Sequence, residues 1–302
     1  MGAADVVPGV SGGTIAFITG IYFRLLGAIG AVPSAFLQSF ARGRWLRFWH
    51  EIDGTFLVAL LGGILVSIAT LANVITWALA TYPIALWSFF FGLIVASVWH
   101  VLGQLQTRRW WQVIPIVAGA AFAWWVTTLS AGQVNPGAMV FFLSGALAIC
   151  AMILPGLSGS FILLILGMYG PVLNAVRELD LALLGLFLGG CMVGLLSFAR
   201  LLGAALRRAH DLVLAVLTGF MIGALNRVWP WQLVVSWRTN SSGERVPLEQ
   251  VSVSPLSYAD LSGQSAQVTL AVVAMLLGLA VVLLGEWLAT RSAQPTAAAP
   301  EV

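Results

Sequence analysis

The sequence predicts an all-α polytopic membrane protein built as an inverted-topology repeat, each half a broken, re-entrant helical hairpin followed by three transmembrane helices. Three observations lead there. The 302-residue chain is 60% apolar and 8% charged, with a mean hydropathy of +0.98, whereas a soluble domain is about a quarter charged. Residues 54–107 and 110–176 contain no Asp, Glu, Lys or Arg. The motif Pro-Gly-x-Ser-Gly interrupts an apolar stretch twice, at Pro8 to Gly12 and at Pro155 to Gly159.

A membrane crossing takes about 20 apolar residues. Six segments meet that length: 54–74, 84–104, 112–130, 181–201, 211–229 and 268–288. All fourteen basic residues are arginines. Arg24, Arg42, Arg44 and Arg47, then Arg108 and Arg109, then Arg200, Arg207 and Arg208, and finally Arg291 fall in alternate loops. The positive-inside rule puts those loops and the C-terminus in the cytoplasm. The opposite face has only Arg177, beside Glu178 and Asp180, and a polar loop over 230–267. That loop reads as solvent-exposed and open to a partner, and the Ala/Pro-rich tail, 290–302, as disordered.

The bookkeeping leaves 1–30 and 137–175 with an even number of crossings, so each is a hairpin turning at its Pro-Gly motif. A shift of 147 lays Pro8 to Tyr22 over Pro155 to Tyr169 with eight of fifteen positions identical. A shift of 127 lays Gly62, Gly63, Val66 and Gly92 over Gly189, Gly190, Val193 and Gly219. The repeats are therefore 1–130 and 137–289, and an odd number of crossings in each inverts the second. Only Met1 to Val7 precede the first turn, against 137–154 for the second. A matching arm would need about fifteen more residues, so the first hairpin is expected to be incomplete as it stands, whether or not the native start lies upstream of Met1.

Paired broken helices in inverted repeats are how secondary transporters build a site near the midplane; a duplicated bundle whose glycines serve only packing is the alternative. A Gly-rich turn opening a helix offers free N–H groups and the positive end of the helix dipole to an anion such as phosphate. The candidate binding residues are Gly9, Ser11, Gly12, Gly13 and Thr14 in the first turn and Gly156, Ser158, Gly159 and Ser160 in the second. The same hydroxyls and carbonyls also suit Na⁺. Arg24 and Arg177 follow the two hairpins and either pair with a phosphate or snorkel to headgroups. Asp5, just before the first turn, is the candidate for ion coupling.

The scattered arginines form no nucleic-acid face. Cys150 and Cys191 lie within apolar stretches as buried hydrophobes rather than a disulfide. His50, His100 and His210 are isolated, so neither metal nor cofactor is expected beyond H⁺ or Na⁺ as a coupling ion. The tryptophans, Trp229 and Trp231 among them, read as interfacial anchors. Neither turn offers a nucleophile a nearby base, which argues against an enzyme.

Residues Gly2 to Ala16, with Ile153 to Phe161, closely resemble the bacterial polyprenyl-phosphate transporters (the PopT family), formerly a domain of unknown function. The resemblance covers almost the whole chain and departs at Phe23, where the family pattern places an acidic residue after the tyrosine. It implies a flippase returning undecaprenyl phosphate from the outer to the inner leaflet of the bacterial cytoplasmic membrane for peptidoglycan and other envelope polymers. A membrane lipid-phosphate phosphatase and a small-anion or ion transporter are the alternatives, and homo-oligomerisation is left open. Carrying an anion inward against a cytoplasm-negative potential costs about 2.3 kcal/mol per charge per 100 mV, so co-transport of H⁺ or Na⁺ is expected.

Overall fold

Apolar residues run so continuously through this chain that caps and breakers set where its helices begin and end. The computed structural model describes residues 1–5, 11–107, 109–129, 136–239 and 245–292. The first half comprises α1 (Gly2–Asp5), α2 (Gly12–Ile18), α3 (Tyr22–Gln38), α4 (Trp45–Glu51), α5 (Gly54–Thr81), α6 (Pro83–Gly103) and α7 (Val113–Thr128). The second comprises α8 (Ala138–Ile153), α9 (Gly159–Ile165), α10 (Tyr169–Arg177), α11 (Leu181–Arg208) and α12 (His210–Ala224). A hairpin of β1 (Gln232–Thr239) and β2 (Arg245–Ser252), then α13 (Pro255–Ser262) and α14 (Val268–Ser292), completes it.

Helix bounds follow the offsets seen in the sequence. Helices α2 and α9 each span seven residues, 147 positions apart, behind extended N-caps at Ser11 and Ser158. Both halt at a left-handed glycine, Gly20 (φ +71°) and Gly167 (φ +68°), a conformation that a Cβ disfavours. The chain then bends by 118° into α3 and by 108° into α10. Helices α5 and α11 are both 28 residues long, 127 positions apart at either end. Asp180 caps α11 by accepting from the N–H groups of Ala182 and Leu183 at 3.1 and 3.0 Å.

Among the described residues, five helices are long and apolar enough to cross a membrane, or seven spans if each bent pair counts as one. The expected crossing at 211–229 is shorter: α12 has 15 residues and ends at Ala224. At 1.5 Å per residue that is about 22 Å, less than the roughly 30 Å hydrocarbon thickness. Asn226 and Arg227 follow directly, and buried Leu214, Leu217 and Met221 seat the helix in the main core.

Glycines decide which helices touch. A Cβ at Gly190 would strike the carbonyl oxygen of Phe142, and one at Gly194 would lie 2.6 Å from that of Ala146, so α11 packs along α8 backbone to backbone. Gly219 meets Ile116 in the same way, joining α12 to α7. Gly92 meets Met275 and Gly278 meets Phe89, joining α6 to α14. The third long helix of each half therefore packs on the other half, and the two halves interlock. Across α8 and α11 the Cys150 and Cys191 thiols are free and donate to the Gly194 and Gly145 carbonyls.

The segment 230–267 is not a simple solvated loop, and the fold is not purely helical. Strands β1 and β2 pair antiparallel, with a register irregularity between Val234 and Trp237. Trp229 and Trp231, expected as interfacial anchors, fasten this subdomain. Their indole N–H groups donate to the carbonyls of Val253 and Ala266, both at 2.8 Å, and Trp231 packs with Ile84, Tyr258 and Ala271. The short apolar run Leu233, Val234 and Val235, bounded by Gln232 and Ser236, was the strand signal. Helix α14 runs to Ser292, and the 293–302 part of the tail lies outside the described residues.

Gly63 and Gly190 correspond at the 127 offset, but a Cβ at Gly63 meets nothing within 4 Å. Replacing Gly190 by Ala is expected to destabilise the protein by about 1–3 kcal/mol through overpacking. Gly63→Ala is expected to be neutral or stabilising by roughly 0.5–1 kcal/mol through helix propensity. Unfolding midpoints of the two variants in the same detergent check the contrast.

Candidate functional site

The two breaks meet. Ser11, 2% exposed, accepts from the Gly13 N–H at 3.1 Å as the N-cap of α2, while its hydroxyl donates to the Met152 carbonyl at 3.2 Å. Thr14, fully buried, accepts at Oγ1 from the N–H of Gly156 at 3.1 Å. A Cβ at Gly13 would come within 2.7 Å of the Ile153 carbonyl oxygen. Gly156 is left-handed at φ +87°, and a Cβ there would sit 2.8 Å from the Phe220 carbonyl oxygen. Glycine is thus required on both sides of the contact, because backbone touches backbone.

At the first turn the chain supplies its own anion. The Asp5 carboxylate, half-buried, accepts from the Gly12 N–H at 2.8 Å, and a Cβ on Gly12 would overlap it at 2.6 Å. The Thr14 N–H is taken by the Ser11 carbonyl at 3.0 Å. The leading N–H groups of α2 are therefore satisfied internally, and the N-terminal dipole faces a carboxylate.

The second turn differs. Met152 stands at the place of Asp5 in the 147 repeat, so no carboxylate closes the start of α9. Ser158 makes no cap; its hydroxyl pairs with that of exposed Ser160 at 2.9 Å. Beside this turn, the Arg227 guanidinium lies 4.9 Å from the ring centroid of Phe161, which follows Ser160 directly. Among the described residues Arg227 is half-buried and has no carboxylate partner. A cation over an aromatic face, shielded from water and free of a counter-charge, is prepared for an anion.

The structure thus brings together Asp5, Ser11, Gly12, Gly13, Thr14 and Gly156, with Ser158, Gly159 and Ser160 continuing from them. Gly9 lies outside the described residues. Arg24 stands apart: its guanidinium holds Asp53 through two hydrogen bonds, 2.5 and 3.1 Å, and covers Phe56 at 4.3 Å. That hydrogen bond keeps the Asp53 carboxyl below the usual carboxylate range. Arg177 is exposed in the last turn of α10.

Arg227 was not singled out in the sequence. Its signal was present: an arginine on the arginine-poor face, closing an apolar helix with no acid within ten residues on either side. Its counterpart at the 127 offset, His100, instead bonds Gln104 at 2.9 Å.

The family model described as VCA0040-like, undecaprenyl phosphate translocase-like, matches residues 1–246. A curated polyprenyl-phosphate transporter of Vibrio cholerae serotype O1 is 52% identical over 283 residues, 94% of this chain and 92% of that protein. Another from Staphylococcus aureus is 32% identical over 251 residues, 76% of this chain and 83% of its own length. No solved structure matches. An apolar multi-pass helical chain with two touching broken helices, matched over most of its length by this model and these relatives, belongs to the undecaprenyl phosphate translocase-like family.

Proposed function

We propose that this protein returns undecaprenyl phosphate from the outer to the inner leaflet of the bacterial cytoplasmic membrane, drawing on H⁺ or Na⁺, with its halves in opposite orientation. The observation that carries the reading is the unequal chemistry of two turns built to one pattern. The first is neutralised by Asp5 and the second is left to Ser158, Ser160 and Arg227. A phosphate monoester brings the charge and acceptor oxygens that the second turn lacks, and Arg227 is suited to bind it bidentately. The isoprenoid tail needs no polar contact and stays in hydrocarbon, which accounts for how few polar side chains surround the turns. The relatives named polyprenyl-phosphate transporter support the substrate class. Asp5 is the ionisable side chain where the turns meet and is our candidate for the coupling cation.

Reconstitution with labelled undecaprenyl phosphate and a leaflet-resolved readout tests this directly. Release of free phosphate by the purified protein would favour a phosphatase, and anion flux in vesicles without polyprenyl lipid would favour a small-anion transporter. Arg227→Ala removes charge-assisted hydrogen bonds worth about 1.5–3 kcal/mol, so transport should fall roughly ten- to a hundredfold with membrane insertion retained. Asp5→Asn keeps an acceptor for the Gly12 N–H but removes the charge. Its transport should no longer respond to an imposed pH or Na⁺ gradient, and an undiminished response would remove Asp5 from the coupling step.

A further inference from the structure

Away from the meeting turns, a cavity of about 990 Å³ opens between α3, α11 and the start of α12, at the arginine-rich end of the bundle. Its polar side is cationic. Arg200 and Arg207 lie seven residues apart on α11, hence on one face, and both line the cavity. The Arg200 Nε–H donates to the Gly30 carbonyl at 2.9 Å, which fixes the guanidinium, and among the described residues its two Nη groups have no hydrogen-bond partner. Among the described residues neither arginine has a carboxylate partner. The Asp211 carboxylate, which touches the lining residues Gln106 and His210, is already engaged: it accepts from the N–H groups of Gln106 and Thr107 and from the Thr107 hydroxyl at 2.6 Å, and lies 3.2 Å from His210 Nδ1.

The remaining wall is apolar and unusually bare. Gly27, Gly30 and Gly203 contribute no side chain, and a Cβ at Gly27 would meet nothing within 4 Å. Leu26, Ala199 and Leu206 form the floor and belong to the same core as Phe17 and Tyr22. Phe23 stacks on His210 at 6.0 Å between ring centroids and lines the cavity without adding negative charge. Two unpaired guanidinium groups above a side-chain-free apolar groove match an amphiphile with a strongly anionic head and a slender hydrocarbon tail. A terminal phosphate carries about 1.5–2 negative charges near neutral pH and offers bidentate edges to two arginines, whereas a phosphodiester headgroup carries a single charge.

We infer that this cavity is a second binding site for the phosphate monoester headgroup of a long isoprenoid lipid, held by Arg200 and Arg207, with the lipid tail between Gly27 on α3 and Gly203 on α11. The inference rests on the transport reading for its substrate class and adds a station separated from the turns by the Phe17 and Leu26 core.

The full-length protein in phosphatidylcholine vesicles, with a photoactivatable undecaprenyl phosphate analogue, tests it by mapping cross-links. Labelling is expected within residues 26–34 and 199–207. It should drop about tenfold in Arg207→Gln, the loss of one charge-assisted hydrogen bond, and recover in part in Arg207→Lys. Gly27→Leu, directed into open space, and Gly203→Leu, from the opposite wall, should each block it without loss of inserted protein. Labelling that survives both leucine variants, or that phosphatidylglycerol displaces as well as unlabelled undecaprenyl phosphate does, would overturn the inference. Leaflet-resolved transport is read separately in the same vesicles. Wild-type protein that labels selectively but does not transport keeps the cavity and refutes the transport reading. Wild-type protein that transports with no labelling of these segments does the reverse.

Discussion

Breaking a helix inside hydrocarbon leaves backbone N–H and carbonyl groups that neither lipid nor the helix itself can satisfy, at several kcal/mol for each group left bare. This chain breaks two helices at comparable depth and makes each break the partner of the other. The Ser11 hydroxyl reaches the Met152 carbonyl, and the Gly156 N–H reaches Thr14. Such contacts require the two backbones to approach within a carbonyl radius, which explains the glycines at positions 13 and 156 better than any demand for flexibility. Neither hairpin would be satisfied alone, so the halves have to assemble together. The exchange of α7 onto α12 and of α14 onto α6 extends the same interdependence to the periphery.

Within that symmetric frame the chemistry is unequal. Both turns carry the same Pro-Gly-x-Ser-Gly sequence, and single residues set them apart. Asp5 against Met152 decides which turn carries its own negative charge. Arg227 against His100 decides which side holds an unpaired cation. A helix start already facing a carboxylate repels a second anion, whereas one beside a desolvated guanidinium attracts it. Two equal turns would compete for one headgroup; unequal turns rank them.

Much of this was legible in the sequence because local residue types dictate it. The offsets of 147 and 127 reappear in the helix bounds, since the residues that start and stop a helix, such as the Ser at each N-cap position and the left-handed Gly20 and Gly167, act within a few residues of themselves. Five of the six expected crossings followed from apolar length; 211–229 did not, because α12 ends at Ala224. The pairing of helices was not legible, because Gly92, Gly190, Gly219 and Gly278 advertise close approach without naming a partner. The β-hairpin was hidden by the polar residues flanking Leu233 to Val235. Arg24 misled because its sequence neighbours contain no acid; Asp53, its partner, arrives only when α4 returns the chain. Ser11 and Thr14 looked like ligand donors, yet their hydroxyls are engaged across the two halves.

That engagement bears on how a headgroup would pass. If Arg227 and the arginine-lined cavity are stations on one path, the meeting turns lie between them, and the bonds of Ser11 to Met152 and of Gly156 to Thr14 must open. Neutral hydrogen bonds contribute about 0.5–1.5 kcal/mol each on balance, so two cost roughly 1–3 kcal/mol. That is the size of gap across which proteins populate minor conformations. The penalty for opening is further reduced if the phosphate itself accepts from the Gly156 N–H once Thr14 withdraws. A carrier built on tighter contacts, such as a buried ion pair between the turns, would hold one state; one built on bare backbone would leave groups unsatisfied. Hydroxyl-to-backbone bonds are the intermediate choice, strong enough to close the path at rest and weak enough for an anionic headgroup to exchange with them.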